Sequence, residues 1–535
     1  MKQIKKILLL FIVLTLCIAS FACKEKEKPI PELRRKQEEV TIVDDKCRNY
    51  YEIFVRSFYD SDGDGFGDLN GITQNLDYIA DMGFNGIWLM PISSGQSYHK
   101  YDVVNFYKVD ENFGTNDDLV NLVNKAHEKG IDIILDLVVN HTSNKHPWFL
   151  DACQSIRDNG RPSGDYGEFY NFRTSSGSGY SSIQGTSYYY ECQFWSGMPD
   201  LNLDSDKVRA EIVNIMKFWL ELGVDGFRLD ATTSYYTNNT TKNVAFLQWL
   251  YNEAKKIKED VYVVGEAWYA SDVQVRKYYD SGVDSFFCFP VAQGEGAVAT
   301  TLREAKTNSG QLFGKLLNTQ ETTYDIGIMA PFLSNHDTSR AASFLGKTNP
   351  NKTKFAQGLI SLMKGSTFVY YGEEIGMSSP ESSDPSKRVA LLWDKMDSTG
   401  YCTKTPEKII VREETYYSYG SVASQKEDPD SILNYYKYAN YIRNANPEIA
   451  RGTTKVFDDY YDQSSMITVF QRTYNGSTIT IVVNLSYENT YTINLNKEEL
   501  GYTEMKQYLC ANYNEDVTLD GDAITLPPYS YAILK

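Results

Sequence analysis

Eight short apolar runs, rich in β-branched and aromatic residues, recur between residues 53 and 371, with helical periodicity between them. They fall at 53–58, 86–90, 131–139, 226–229, 261–264, 285–289, 329–333 and 367–371. A strand that is apolar on both faces needs cover on both, which a parallel sheet wrapped in helices supplies. Eight such strand–helix units predict an α/β fold, a closed (β/α)8 TIM barrel over residues 47–451. One connection is far too long for an ordinary strand-to-helix loop. Residues 142–205, rich in Gly, Ser, Tyr and Asn, predict a small domain inserted after the third strand. Beyond Gly452 the apolar period becomes two, as in Met466-Ile467-Thr468-Val469-Phe470, and Asn475-Gly476 between two such runs is a hairpin signal. Residues 452–535 are therefore expected to form a separate antiparallel β-sandwich.

The first 22 residues read as an export signal. Lys2, Lys5 and Lys6 precede an apolar run at 7–16, interrupted by Thr15 and too short to span a bilayer comfortably. Ser20-Phe21-Ala22-Cys23 resembles a bacterial lipobox with Ser where Leu is usual, which implies lipidation of Cys23. Residues 23–46, charged and containing Pro, are expected to be an extended tether. The expectation is an exported protein held at the membrane or cell surface by lipid alone, with simple secretion as the alternative. Asp and Glu outnumber Lys and Arg by 70 to 53, a net charge of −17. So acidic a surface repels phosphate backbones and speaks against nucleic acid as a partner. Cys47, Cys153, Cys192, Cys288, Cys402 and Cys510 contain no C-x-x-C pair, so metal-thiolate sites are not expected. Export permits disulfides. Cys153 and Cys192 would either staple the inserted domain or stay as free buried thiols.

Polar residues gather where the predicted strands end. The third ends in Asp136-Leu137-Val138-Val139-Asn140-His141, the fourth in Gly226-Phe227-Arg228-Leu229-Asp230 and the fifth in Gly265-Glu266, while the seventh runs into Asn335-His336-Asp337. The C-terminal strand ends of such a barrel form one face. Asp230, Glu266 and Asp337 should converge there with Arg228, His141 and His336. A single acid after a strand is usually a helix cap. Three of them, with two of only five histidines in the chain, are not explained that way. Converging carboxylates suit glycosidic bond cleavage, in which one acid protonates the leaving oxygen and an ionised partner meets the anomeric carbon. Arg228 lies two residues before Asp230 and faces the same side. It can hold Asp230 as a carboxylate, while burial and nearby negative charge keep Glu266 protonated.

A second constellation is Asp60-Ser61-Asp62-Gly63-Asp64-Gly65-Phe66-Gly67-Asp68. Asp60, Asp62, Asp64 and Asp68 occupy positions 1, 3, 5 and 9, with Gly65 at 6 and the Phe66 carbonyl at 7, which fits the start of a calcium loop. Gly71 stands where an EF-hand has its last Glu. Trp148 and Trp195 are candidate sugar platforms, although core packing is the commoner role for such residues.

Together these motifs resemble the signature regions of the α-amylase family, glycoside hydrolase family 13. Met198-Pro199-Asp200-Leu201-Asn202 and Tyr370-Tyr371-Gly372-Glu373-Glu374 match its further motifs. The likeness covers residues 47–535. It implies Asp230 as nucleophile, Glu266 as general acid/base and Asp337 as transition-state stabiliser. Tyr101, His141, Arg228 and His336 would contact the sugar that is cut, and the Asp60 loop would bind calcium as in several relatives. The implied substrate is an α-glucan such as starch, glycogen or a maltooligosaccharide. In relatives of the oligo-1,6-glucosidase type a Val follows the nucleophile and a Gln opens the inserted-domain motif. Ala231 and Met198 stand at those places and imply α-1,4 cleavage. Thr232-Thr233-Ser234 replaces the x-Lys-His of many α-amylases. The alternatives are α-1,6 or cyclodextrin cleavage, transglycosylation, or a non-catalytic sugar-binding barrel. Retention of all three acids speaks against the last.

Overall fold

The computed structural model describes residues 40, 42–303, 306–406 and 409–535. The export signal, Cys23 and residues 24–39 of the tether lie outside the described residues. Asp45 and Lys46, at the predicted end of the tether, are tied to the barrel. Asp45 pairs with Arg451 at 2.7 Å, and the Lys46 ammonium reaches Asp284 and the Val261 carbonyl, each at 2.8 Å.

Eight parallel strands form the barrel: β1 (Asn49–Ile53), β2 (Gly86–Leu89), β3 (Asp132–Leu137), β4 (Gly226–Leu229), β5 (Tyr262–Gly265), β6 (Ser285–Phe287), β7 (Ile328–Ala330) and β8 (Thr367–Tyr370). Their order is β7-β6-β5-β4-β3-β2-β1-β8, and a parallel bridge between Phe332 and Phe368 joins the two ends. Strands β2 to β8 lie where the apolar runs predict them, to within three residues at either end. The first strand does not. The run at 53–58 overlaps β1 at Ile53 alone, and Val55–Ser57 is a 3-10 turn. The reason is packing. Phe58 meets the edge of Trp393 at 5.2 Å outside the sheet, while the polar-looking Asn49-Tyr50-Tyr51-Glu52 enters it.

Strand alternation sorts the barrel into layers. Tyr50, Trp88, Ile134, Tyr262, Val264, Phe287 and Phe368 fill the interior, with Tyr50 stacked on Phe368 at 4.7 Å and on Tyr262 at 5.2 Å. Gly86 leaves room for this stack, since a Cβ there would stand 2.5 Å from the Tyr50 ring. Two residues further along β1, β3 and β4 come Glu52, Asp136 and Arg228, so one polar layer sits on the aromatic one. Outside, helices cover the sheet with apolar stripes. Helix Asp206–Glu221 buries Val208, Ile212, Ile215, Met216 and Trp219, one face of a 3.6-residue period.

The segment after β3 holds the helix Pro147–Asn159 and a three-stranded antiparallel sheet of Phe172–Arg173, Tyr180–Ser182 and Tyr189–Glu191. It is pinned back to the end of β3 by the bridge His141–Asp200 and by the Leu201 N–H, which donates to the Asn140 carbonyl at 2.9 Å, while the bridge Tyr170–Leu201 ties the segment to itself. The C-terminal region adds an antiparallel sheet of β9 (Thr453–Val456), β10 (Ile467–Tyr474), β11 (Ser477–Asn484), β12 (Met505–Cys510) and β13 (Ser530–Leu534), and a second one of three strands. Asn475 and Gly476, both with positive φ, turn β10 into β11. Cys153 and Cys192 are buried free thiols and do not staple the inserted segment.

Candidate active site

Arg228 is the hub of the polar layer. Fully buried on β4, its guanidinium lies 5.1 Å above the Trp88 ring, so the aromatic layer supports it from below. Its Nη1 donates to both oxygens of Asp136 at 3.0 Å and to Asp230 at 2.7 Å, and its Nη2 stands 3.1 Å from Glu266. The two carboxylates from neighbouring strand ends are thus held against the two terminal nitrogens of one side chain. Ala231 completes the arrangement. It has φ of +49°, a left-handed conformation uncommon outside Gly, and its N–H donates to the Glu266 carboxylate at 2.9 Å. Thr232 then binds the Glu266 carbonyl through both N–H and hydroxyl, at 3.2 and 2.6 Å.

His336 forms the other half. One ring nitrogen is 2.6 Å from Glu52, and the other is 3.0 Å from Asp337 and 2.7 Å from the Tyr101 hydroxyl. The Tyr101 ring stacks on the imidazole, with centroids 5.6 Å apart, and its hydroxyl donates to Asp136 at 3.0 Å. Arg388 donates to Asp337 at 2.7 Å and to the His336 carbonyl at 3.0 Å. His141 is buried at the end of β3, within reach of the Asp230 charge and the Tyr101 backbone. All seven residues expected at the site, Tyr101, His141, Arg228, Asp230, Glu266, His336 and Asp337, therefore meet at the C-terminal end of the barrel.

The charges explain the protonation pattern. Five carboxylates, Glu52, Asp136, Asp230, Glu266 and Asp337, face three cationic groups, Arg228, His336 and Arg388. Burial, followed by the negative charge of Asp230 and Asp337, pushes Glu266 up to about 6 against the pull of Arg228. Burial and Asp230 likewise raise Asp136 to about 7. Burial would lower His336, but Asp337 and Glu52 outweigh it and lift the imidazole to about 9. Asp337 goes the other way. Burial disfavours its charge, yet His336 and Arg388 hold it well below the ordinary carboxylate range. Burial lowers His141. The site thus holds a proton-bearing carboxyl and ionised ones side by side, the arrangement that glycosidic cleavage requires.

Sequence reasoning missed Glu52, Arg388 and the pairing role of Asp136. Glu52 fell one residue before the predicted first strand. Arg388 follows the short helix Asp384–Lys387 in no recognisable motif and reaches Asp337 only through its length. Trp148 and Trp195 part company. Trp148 packs between Phe106 and Phe169, at 5.6 and 5.1 Å, whereas Trp195 is 60% exposed and does not take the core role expected of it.

In the acidic loop, Asp60, Asp62 and Asp68 offer oxygens within 4.8 Å of one another, a set of hard donors that suits a divalent cation. The expected ligands Asp64 and the Phe66 carbonyl are outside that group of three. The Asp64 carboxylate accepts the Phe66 N–H at 2.7 Å, as Asp62 accepts the Asp64 N–H at 3.1 Å, and the Phe66 ring lies under Arg56 at 4.4 Å. Asp60 also accepts from Gly63 and Gly65, at 2.7 and 2.9 Å, and Asp68 caps the helix Leu69–Gln74.

Residues 52–452 match the family described as alpha amylase, catalytic domain. The chain is 37% identical to Alpha-amylase 3 of Dictyoglomus thermophilum, across 91% of this chain and 92% of that one. It is 29% identical to the oligo-1,6-glucosidase of Heyndrickxia coagulans, across 90% and 97%. Among solved structures, Eubacterium rectale Amy13B superposes with a TM-score of 0.88 at 39% identity, across 95% of this chain and 98% of that one.

Proposed function

Because the chain belongs to the alpha-amylase family of glycoside hydrolases, we propose that it is a retaining α-glucan hydrolase acting on the α-1,4 bonds of starch, glycogen or maltooligosaccharides. The observation that carries this reading is the pair Asp230 and Glu266 on the two ends of the Arg228 guanidinium, with Glu266 protonated below about pH 6. Glu266 gives its proton to the glycosidic oxygen as the bond to the anomeric carbon breaks, and Asp230 bonds to that carbon. Water then gives a proton to Glu266 and its oxygen to the carbon, releasing Asp230. His336 and Arg388 keep Asp337 ionised, so its charge faces the positive charge that develops on the sugar ring. Tyr101, stacked on His336, offers an apolar face to the same sugar.

Two displacements at one carbon restore its configuration, so the first product should be the α-anomer. NMR of early hydrolysis showing the β-anomer would sink the mechanism. The bond preference rests on the Ala231 methyl beside Glu266, which leaves room for an α-1,4 aglycone. A contact of that size contributes only about 1–3 kcal/mol, enough to set a preference. The relative named oligo-1,6-glucosidase supplies the second reading, α-1,6 cleavage. Chromatography of products from starch, maltotetraose, panose and isomaltose separates the two. Isomaltose cut as fast as maltotetraose would favour the second reading.

A further inference from the structure

Four aromatic side chains are exposed among the described residues, Phe194, Trp195, Trp268 and Tyr487, and two of them are consecutive. Phe194 is 53% exposed, yet its ring lies 5.5 Å from that of His141 at the candidate site. Trp195, at 60%, is the next residue. Large apolar groups left in water mark a surface that something else covers.

This pair is not on a loose loop. Before it, the Gln193 N–H donates to Asp200 at 2.9 Å. After it, the Met198 N–H returns to the Trp195 carbonyl and the Asn144 N–H binds the Gly197 carbonyl, both at 2.8 Å, while the Tyr190 hydroxyl binds the Ser196 carbonyl at 2.7 Å. The indole also has a prepared seat. It lies so close over Gly197 that a Cβ there would stand 2.0 Å from its six-membered ring. The backbone therefore holds an exposed indole directly after Phe194, which borders the site, and the missing side chain at 197 makes room for it.

We propose that Phe194 and Trp195 form a stacking platform for a glucosyl unit adjoining the one that is cut, and that they set a preference for longer chains. A pyranose ring presents C–H faces that pack on an aromatic plane, and a pre-held platform gives up little conformational entropy on binding. The proposal rests on the glucan-hydrolase reading and extends it from the bond to the length of the chain.

The test compares maltopentaose with α-glucosyl fluoride, which brings a single sugar unit to the cleft. In Trp195→Ala the ratio of kcat/KM for maltopentaose to that for the fluoride should drop about three- to tenfold, mostly through KM, as loss of one aromatic contact implies. Gly197→Ala, which keeps the indole but displaces it, should give the same drop, and Trp195→Phe should recover most of the ratio. An unchanged ratio in both Trp195→Ala and Gly197→Ala overturns the platform. So does an equal loss on both substrates, which marks a general disturbance of the site. Wild-type enzyme that consumes the fluoride but no maltooligosaccharide overturns the glucan reading itself, and the platform with it.

Discussion

Glu266 shows how single residues set the working conditions. With its carboxyl pushed up to about 6, it carries the proton that a general acid needs below that pH and loses it above. The alkaline limb of kcat/KM should therefore fall near pH 6. Glu266→Gln should remove that limb and lower kcat by about 10²–10⁴-fold, the ordinary worth of general acid catalysis. A wild-type profile flat to pH 8 would contradict this assignment. Arg388 makes the opposite case, a cation that holds Asp337 ionised from a part of the chain with no motif. In Arg388→Met the Asp337 carboxyl loses a partner at 2.7 Å and its pKa rises, so protonation silences it at a higher pH. The acidic limb should move upward, and pH–rate profiles of the two proteins check it. An unmoved acidic limb would mean that His336 alone fixes the charge. Both roles depend on distances across strands. The acids at the strand ends are legible as motifs, with Arg228 beside Asp230, whereas Arg388, which pairs with Asp337 from far along the chain, is not.

At the scale of elements, the acidic loop after β1 carries the expectation of a metal. Spacing alone admits Asp60, Asp62, Asp64 and Asp68 as ligands. Asp62 and Asp64 each close a turn by accepting the N–H two residues on, of Asp64 and Phe66 respectively. Asp60, Asp62 and Asp68 remain within 4.8 Å of one another. If they hold calcium, a chelator should lower the melting temperature, since a ligand bound only by the native state stabilises it by about 2.7 kcal/mol at a hundredfold excess over Kd. Asp62→Ala is the cleanest variant, because Asp62 is exposed and accepts one exposed N–H, whereas Asp60 and Asp68 are buried and each accept two. Its melting curve should match the chelated wild type and ignore the chelator. Identical wild-type curves with and without chelator would leave the loop as a plain acidic turn. Pattern reading misplaced β1, the strand before this loop. Tyr50 and Glu52 face inward there, and an apolar count passes over a strand built from Asn, Tyr and Glu in favour of the Phe-rich turn after it.

For the whole molecule, the barrel and the C-terminal sheets were legible because each rests on a period that burial enforces over many residues, and the insertion because its connection is too long for a loop. What the periods do not carry is how chain ends meet the core. Asp45 and Lys46, read as the end of a tether, are ion-paired to Arg451 and Asp284, contacts between residues hundreds of positions apart. Where the protein resides is then a question about Cys23. Among the described residues no helix is long and apolar enough to cross a membrane. The net charge of the whole chain, −17, also speaks against attraction to anionic lipid headgroups. Retention at a membrane would fall to acyl chains alone, and stable anchoring takes more than one of them, as a modified N-terminal cysteine carries. With no second attraction to fall back on, Cys23→Ala should move the enzyme wholly, not partly, from the membrane to the soluble fraction, with its specific activity kept. Fractionation followed by mass spectrometry of the N-terminal peptide decides it. Wild-type protein recovered in the medium with an unmodified Cys23 would establish simple secretion, and a Cys23→Ala variant still in the membrane pellet would require a surface contact of some other kind.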